Sequence, residues 1–587
     1  MEIAYITISN FRGIANAKIF LKGHSVIIGD NNAGKSTIVE AMDLVLGPER
    51  LSRMPVVDEH DFYNGNYLGE NACTIEIEVA IIGLSDEQIA RFKSHLEFWD
   101  CATETILPEG NIAQIDKANI REALRVKFVG GYNSEEDDFE GETFFVSPLM
   151  ESGTQPKFTK NDKRECGFLY LRALRTGSRA LSLERGSLLD IILRIKEIRP
   201  KMWEDVLTQL RDTSLKSENS IGVDGVLESL QTAMKEFVPV DWGSEPHLKI
   251  SDLTREHLRK TLTVFMATGE QGYAAPVHHQ GTGTINTMVL ALLSLIAEAK
   301  KSVIFAMEEP ETALPPYTQK RIIDSVRSKA SQAIFTSHSP FVLEEFAPEQ
   351  IIMVNRDSNG KMLSKALNFP ANIRPKNYNM EFRTRFTEAL LAKRVLVTEG
   401  TTEALVFSAA SRKLNELANT KYKSLEGLGV AIFNAGSENS VSIFGEYFKN
   451  MGKQVFAVFD KQTPEKLLGI QQSVDHSYEC QYKGIEDMLI SETSFEVLES
   501  FYNTLSKEWP HHLSKYKIAV DENFSNENVK KAIRQYLKWD KAGSTAVDLL
   551  ASCGSPKDMP KFVRDVLKDI KIHVEPIVEE TVPENGN

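Results

Sequence analysis

The chain has 587 residues, 42% of them hydrophobic, and a formal net charge of −14. That length and apolar content imply about two to four domains with real cores, and the acidic balance excludes a general electrostatic grip on nucleic acid, though not a local basic groove or contact through carboxylate-held cations. No stretch approaches the roughly 18 to 20 apolar residues of a membrane span, and Met1-Glu2-Ile3-Ala4-Tyr5 lacks the basic start of a signal peptide, so a soluble, cytoplasmic protein with no membrane contact is expected. Five scattered cysteines (Cys73, Cys101, Cys166, Cys480, Cys553) have no C-x-x-C spacing and read as free thiols.

In chain order, the apolar run Ser25-Val26-Ile27-Ile28 enters Gly29-Asp30-Asn31-Asn32-Ala33-Gly34-Lys35-Ser36-Thr37, and a helical pattern, Ile38 to Met42, leaves it. This is G-x-x-x-x-G-K-[ST] in its required strand-to-helix context, so backbone N–H groups and a helix N-terminus would surround the phosphates of ATP. Lys35 would reach the β- and γ-phosphates, the Ser36 hydroxyl would ligate magnesium, and Thr37 would cap the helix, with Asn31, Asn32 and Gly34 also at the nucleotide. The acidic run Ser134 to Asp138 reads as solvated surface.

Residues 161–245 read as an inserted helical subdomain, a dimerisation arm being the alternative. Ser187 reads as an N-cap, Leu188, Ile191, Ile192 and Ile195 share a face, and Pro200 would stop that helix. Apolar spacings at Val206, Leu207 and Leu210, and at Leu227, Leu230, Met234 and Phe237, suggest two more helices. The first part, 1–160, would then resume at 246–370. There Gln280-Gly281-Thr282-Gly283-Thr284-Ile285-Asn286 precedes a helical pattern from Thr287 and would aim its N-terminus at phosphate. The strand Ser302 to Met307 delivers Glu308, the expected magnesium partner, and Glu309, the expected general base. A further strand, Ala333-Ile334-Phe335, ends in Thr336-Ser337-His338-Ser339-Pro340, where His338 could touch the γ-phosphate.

This ordered set, with Ile6-Thr7-Ile8-Ser9-Asn10-Phe11-Arg12-Gly13 ahead of the loop, resembles the ATP-binding-cassette (ABC) ATPases of the SMC and RecF kind. The resemblance implies that Gln280, Gly281 and Gly283 act in trans on a partner's nucleotide, and hence a homodimer or higher homo-oligomer. The chain departs from the family in having Glu308-Glu309 where Asp-Glu is usual.

After a linker at 371–391, three apolar strands end in polar residues: Val395 to Thr398 before Glu399, Val430 to Phe433 before Asn434, and Gln454 to Phe459 before Asp460. Parallel pairing would put these ends on one sheet edge, where open α/β folds place their sites. A helix from Thr401 would bring Glu403 near Glu399, so that the two carboxylates share a metal or a proton. The pattern resembles the TOPRIM domain, at 392–510, with a helical part and tail at 511–587. Gln462 departs from its D-x-D motif, and of the nearby acids Glu479, Glu486 and Asp487, Glu486 is the favoured substitute ligand.

An SMC-like ATPase followed by TOPRIM is similar to the OLD (overcoming lysogenization defect) family. The resemblance implies an α/β chain: an ABC-type ATPase domain with a helical insertion, then a Rossmann-like parallel sheet with a C-terminal helical part. It implies an ATPase that is also a metal-dependent DNA endonuclease in defence against phage or foreign DNA, its partners being DNA, ATP, a second copy and an accessory defence protein. Glu399, Glu403, Asp460 and Glu486 would hold Mg2+, Mn2+ or other divalent ions, with Glu399 also a general base, and Lys541 would lie near the scissile phosphate. ATP binding would set protomer geometry rather than drive the cut. The alternative is an SMC/RecF-like repair ATPase that binds DNA with a degenerate TOPRIM domain and does not cut.

Overall fold

The structure, a computed structural model, describes the chain apart from residues 49–54, 108–116, 148–154, 172–180, 184–186, 196–198, 213–231, 233–253, 268–273, 300–302, 313–314, 369, 371–382, 509–525, 541–542 and 576–587. Two compact units result, Met1–Leu367 and Asn368–Asn587.

The first unit builds an antiparallel sheet from β1 (Glu2–Phe11), β2 (Ile14–Phe20), β4 (Ile75–Ile82), β5 (Leu96–Asp100), β6 (Thr105–Leu107), β7 (Ile120–Asn133) and β8 (Asp138–Phe145), in the order β2-β1-β4-β7-β5-β6 with β8 also on β7. Its second sheet uses β3 (Ser25–Ile28), β9 (Phe168–Leu171), β12 (Ile304–Glu308), β13 (Gln332–Thr336), β14 (Ile351–Arg356) and β15 (Met362–Ala366). The order is β15-β14-β3-β13-β12-β9, parallel except for the β14–β15 hairpin. A separate hairpin pairs β10 (Phe265–Ala267) with β11 (Ala274–Pro276). β3 is buried along its length, as its unbroken apolar run requires of a parallel strand covered on both faces. The helix that follows, Lys35–Leu46, buries Ile38, Val39, Met42 and Val45 in one core with residues of both sheets. Gln332, the fully buried first residue of β13, ties the sheets together: the Ile3 N–H donates to its Oε1 (2.7 Å) and its Nε2 donates to the Ile3 carbonyl (3.1 Å).

Three sequence expectations are corrected here. The segment expected to be inserted from residue 161 contains β9, which pairs in parallel with β12 and so belongs to the core sheet; its short run had no local mark of that distant partner. Pro200, expected after the end of the preceding helix, lies in the first turn of the next, Arg199–Asp212, where its missing N–H has no intrahelical use. Val206, Leu207 and Leu210 do lie on this helix and pack around Trp203 and Leu258. The helix expected from Thr287 starts at Thr282, because Gly283 is tolerated in a first turn. The pattern at Leu227, Leu230, Met234 and Phe237 lies outside the described residues.

In the second unit β16 (Arg394–Thr398), β17 (Val430–Asn434), β18 (Gln454–Phe459) and β19 (His476–Glu479) form a wholly parallel sheet in the order β17-β16-β18-β19. Helix Arg383–Leu391 occupies the end of the segment expected to be linker, and its Phe386 joins an aromatic group with Phe433, Tyr447 and Phe448. Helices Ile485–Glu492, Phe495–Glu508, Asn526–Trp539, Thr545–Ala551 and Lys561–Val574 contribute to a single core with Leu396, Phe456 and Val458, so packing is continuous across residue 510. Among the described residues no helix is long and apolar enough to cross a membrane.

Candidate active sites

The phosphate loop between β3 and its helix is shaped by two glycines and one asparagine. A Cβ on Gly29 would stand 2.3 Å from the Val354 carbonyl of β14, so only glycine lets the loop lie against that strand. Gly34, the N-cap, has φ +96°, and Asn32 has φ +66°; alternating handedness of this kind turns successive N–H groups toward one concave, anion-binding face. Thr37 is not the cap expected of it: Gly34 holds that position without a side-chain bond. Asn31, Asn32 and Ser36 are exposed on the loop. The buried Lys35 ammonium donates to the carbonyls of Gly29 and Asp30, each at 3.0 Å, which leaves one of its three donors for a phosphate oxygen. Burial lowers its pKa, opposed by Glu309, Asp30 and Glu311.

Because β13 lies between β3 and β12, the acids at the end of β12 and the loop after β13 open on the same edge as the phosphate loop. Glu308 closes β12 and accepts a hydrogen bond from the Tyr170 hydroxyl of β9. Glu309 has φ +41°, a left-handed conformation held by its N–H donating to the Thr336 carbonyl (2.9 Å) and its own carbonyl accepting from the Thr312 N–H (3.0 Å). Such strain in a non-glycine residue persists where neighbours over-determine it, commonly at sites. His338 is an exposed residue, yet partial desolvation of its ring first and Lys35 second lower its pKa. The electrostatic neighbourhood of Lys35 thus contains Asp30, Glu309, Glu311 and His338. Sequence reasoning missed Tyr170 and Glu311, whose roles come from cross-strand contacts. Gln280 donates through Nε2 to the Met266 carbonyl of β10 (3.0 Å), and among the described residues a Cβ on Gly281 or Gly283 would meet nothing within 4 Å. The side chains of Thr282 and Asn286 lie outside the described residues.

In the second unit, the register Thr398↔Val458 and Phe459↔Glu479 sets Glu399, Asp460 and Glu479 on one sheet edge. Two helices start there, Thr401–Leu417 and Ile485–Glu492, with Glu403 and Glu486 in their first turns. Both carboxylates fold back over the preceding glycine: a Cβ on Gly400 would stand 2.6 Å from Glu403 Oε2, and one on Gly484 3.0 Å from Glu486 Oε2 and 4.0 Å from Asp460 Oδ2. The Asp460 N–H donates to Glu399 Oε2 (3.1 Å). Burial, reinforced by Asp460, Glu399 and Glu486, pushes the Glu403 carboxyl up to about 7, and burial also raises Glu399. Crowded carboxylates of this kind are relieved either by a proton or by a cation.

Gln462 turns its backbone N–H to Glu479 Oε1 (2.8 Å) and its Nε2 to the Asp460 carbonyl (3.0 Å), while its buried Oε1 has no hydrogen-bond partner among the described residues. Glu479 thereby accepts a backbone bond, while the Glu486 and Asp460 carboxylates both lie near the Cβ position of Gly484. All these donors are hard oxygens, which suits magnesium or manganese. Among the described residues no three acid, His or Cys side chains are posed to hold a metal ion, so the carboxylates are neighbours rather than an assembled ligand shell. Lys541 lies outside the described residues.

Comparison with known proteins fits both units. The profile of the AAA ATPase domain matches residues 1–220 and 190–343, and that of the overcoming lysogenization defect protein-like TOPRIM domain matches residues 390–461. The chain therefore belongs to the AAA ATPase family, joined in one α/β chain to a TOPRIM domain. Within that class, the chain resembles nucleases of the OLD family. It is similar to the Old nuclease of Escherichia phage P2, with 22% identity over 71% of this chain and 70% of that protein. The OLD nuclease of Thermus scotoductus is 22% identical over 67% of this chain and 71% of its own length; endonuclease GajA of Bacillus cereus is 22% identical over 69% and 67%. Among solved structures, the SMC head bound to the C-winged helix domain of ScpA is 15% identical over 62% of this chain and 99% of that one, with a TM-score of 0.33. The SMC head domain from Thermotoga maritima is 14% identical over 63% and 100%, with a TM-score of 0.30.

Proposed function

We propose that the protein is an ATP-regulated, divalent-metal-dependent DNA endonuclease acting in defence against phage or other foreign DNA. The observation that carries the reading is the crowding of Glu399, Glu403, Asp460 and Glu486 at one edge of a parallel sheet, in a chain whose other unit has a phosphate loop beside Glu309 and His338. Relatives named as nucleases support the reaction class.

Those four carboxylates would hold the cations, and Gln462 Oε1, on a side chain tied to the Asp460 backbone, would be a further neutral oxygen donor. Bound there, divalent ions would supply Lewis acidity and a nucleophilic hydroxide at neutral pH. Glu399, its proton affinity raised by burial, would take up the proton of the attacking water. Lys541 would offset charge on the phosphate. At the nucleotide, Lys35 would bind the β- and γ-phosphates, Ser36 and Glu308 would hold magnesium, Glu309 would orient and deprotonate water, and His338 would meet the γ-phosphate. The open surroundings of Gly281 and Gly283 suit approach to a partner's nucleotide, which makes the working form a dimer at least. Incubation of the full chain with supercoiled plasmid and Mg2+ or Mn2+ tests the reading. Nicked and linear products are expected. Unchanged plasmid would mean a binding-only ATPase, and relaxed closed circles a topoisomerase. The defence role is tested by plating phage on cells carrying either the wild type or Asp460→Ala.

A further inference from the structure

The carboxylate of Glu311 joins two segments that are 26 residues apart in sequence and follow different strands, β12 and β13. Its Oε2 accepts from the Ser337 hydroxyl (3.0 Å) and its Oε1 from the His338 N–H (2.7 Å). The Ser337 Oγ accepts in turn from the Ser339 N–H (3.0 Å), and the Ser339 hydroxyl donates to Gln319 Oε1 (2.6 Å) on the helix Pro316–Lys329. Ser337, Ser339 and Gln319 are all buried. The loop after β13 is therefore fastened from both sides, and Glu311 bears directly on the residue that carries the imidazole.

We propose that Glu311 is a positioning residue for ATP hydrolysis: it fixes the His338 backbone so that the ring meets the γ-phosphate. The inference rests on the reading of His338 given above. Hydrogen bonds to an ionised acceptor are about twice as strong as neutral ones, and two of them converge here on adjacent residues. Neither bond touches the phosphate loop, whose lysine is tied to Gly29 and Asp30. Although its charge lies in the electrostatic neighbourhood of Lys35, loss of Glu311 thus affects turnover far more than nucleotide affinity. A misplacement of about 1 Å can cost on the order of a hundredfold in rate.

The experiment compares Glu311→Ala, His338→Ala and the double variant as full-length protein, measuring kcat for ATP and the Kd of a fluorescent ATP analogue. Glu311→Ala is expected to lower kcat by about tenfold or more with Kd little changed, and to add less than about twofold once His338 is already alanine. Equal losses in both backgrounds would overturn the proposal, since Glu311 would then act independently of the imidazole. Wild-type turnover by His338→Ala would instead remove the γ-phosphate reading of His338, and this inference with it. Should Glu311→Ala fail to fold, Glu311→Gln serves in the same cycle: its amide oxygen still accepts from the His338 N–H, but its NH2 cannot accept the Ser337 proton.

Discussion

Glu309 is a non-glycine residue with φ +41° placed directly before Pro310. The left-handed region costs an L-residue roughly 1–2 kcal/mol, and a following proline biases its neighbour toward extended conformations. Replacing Glu309 by Ala or by Gly removes the same carboxylate and should slow hydrolysis equally, but only glycine releases the strain. At an ordinary position glycine is the less stable of the two by roughly 0.5–1 kcal/mol, through its unfolded-state entropy. Here the released strain outweighs that cost, and Glu309→Gly should be the more stable by about 0.5–1 kcal/mol, several-fold in the folded-to-unfolded ratio. Urea unfolding of the two variants, followed by tryptophan fluorescence, measures the difference. If Glu309→Ala proved the more stable, the left-handed geometry inferred for the expected general base would be wrong.

Lys35→Ala should abolish ATP hydrolysis, while Glu309→Gln should bind nucleotide and turn over slowly; full turnover by the lysine variant would end the assignment of the loop. Asp460→Ala should remove plasmid cleavage and leave ATP hydrolysis largely intact, because Asp460 and its neighbours Glu399, Gln462 and Gly484 belong to the second unit. Gln462→Asp should lower the magnesium concentration needed for cleavage, since hard cations prefer charged oxygens; an unchanged requirement would place Gln462 off the metals. Lys163, fully buried with its ammonium donating to the Leu44 carbonyl (2.7 Å), has a pKa lowered by burial to about 7. Between that value and the ordinary 10.5 the unfolded chain binds more protons, so stability relative to Lys163→Met should rise with pH, by at most about 1.4 kcal/mol per unit. Denaturation of both proteins at pH 7.5 and pH 9.5 checks this, and a constant difference would refute it.

What was legible in the sequence was what local chemistry encodes. The phosphate loop announces itself because its glycines, lysine and hydroxyls are contiguous, and β16 to β18 because each apolar run stops at a polar residue. The start of a helix at Thr401 was legible for the same reason, and with it Glu403 in the first turn. What was hidden depends on partners far along the chain. β9 is a four-residue run that becomes a core strand only beside β12, and Glu311 looks like one more acid until the loop after β13 folds onto it. Thr37 was assigned a capping role by residue type, but the loop ends in a left-handed residue, and that position went to Gly34.

The pair of bonds between Gln332 and Ile3 makes one side chain imitate a peptide group. A carboxamide has a donor and an acceptor on one planar head, so it can serve both the N–H and the C=O of a single residue, as a neighbouring strand would. Glutamate would face the Ile3 carbonyl with a second acceptor, lysine would face the N–H with a second donor, and leucine would leave both backbone groups unsatisfied in a dry interior. The position therefore tolerates almost no drift. A homologue that lacks the amide there must bring its two sheets together by some other graft of backbone onto backbone.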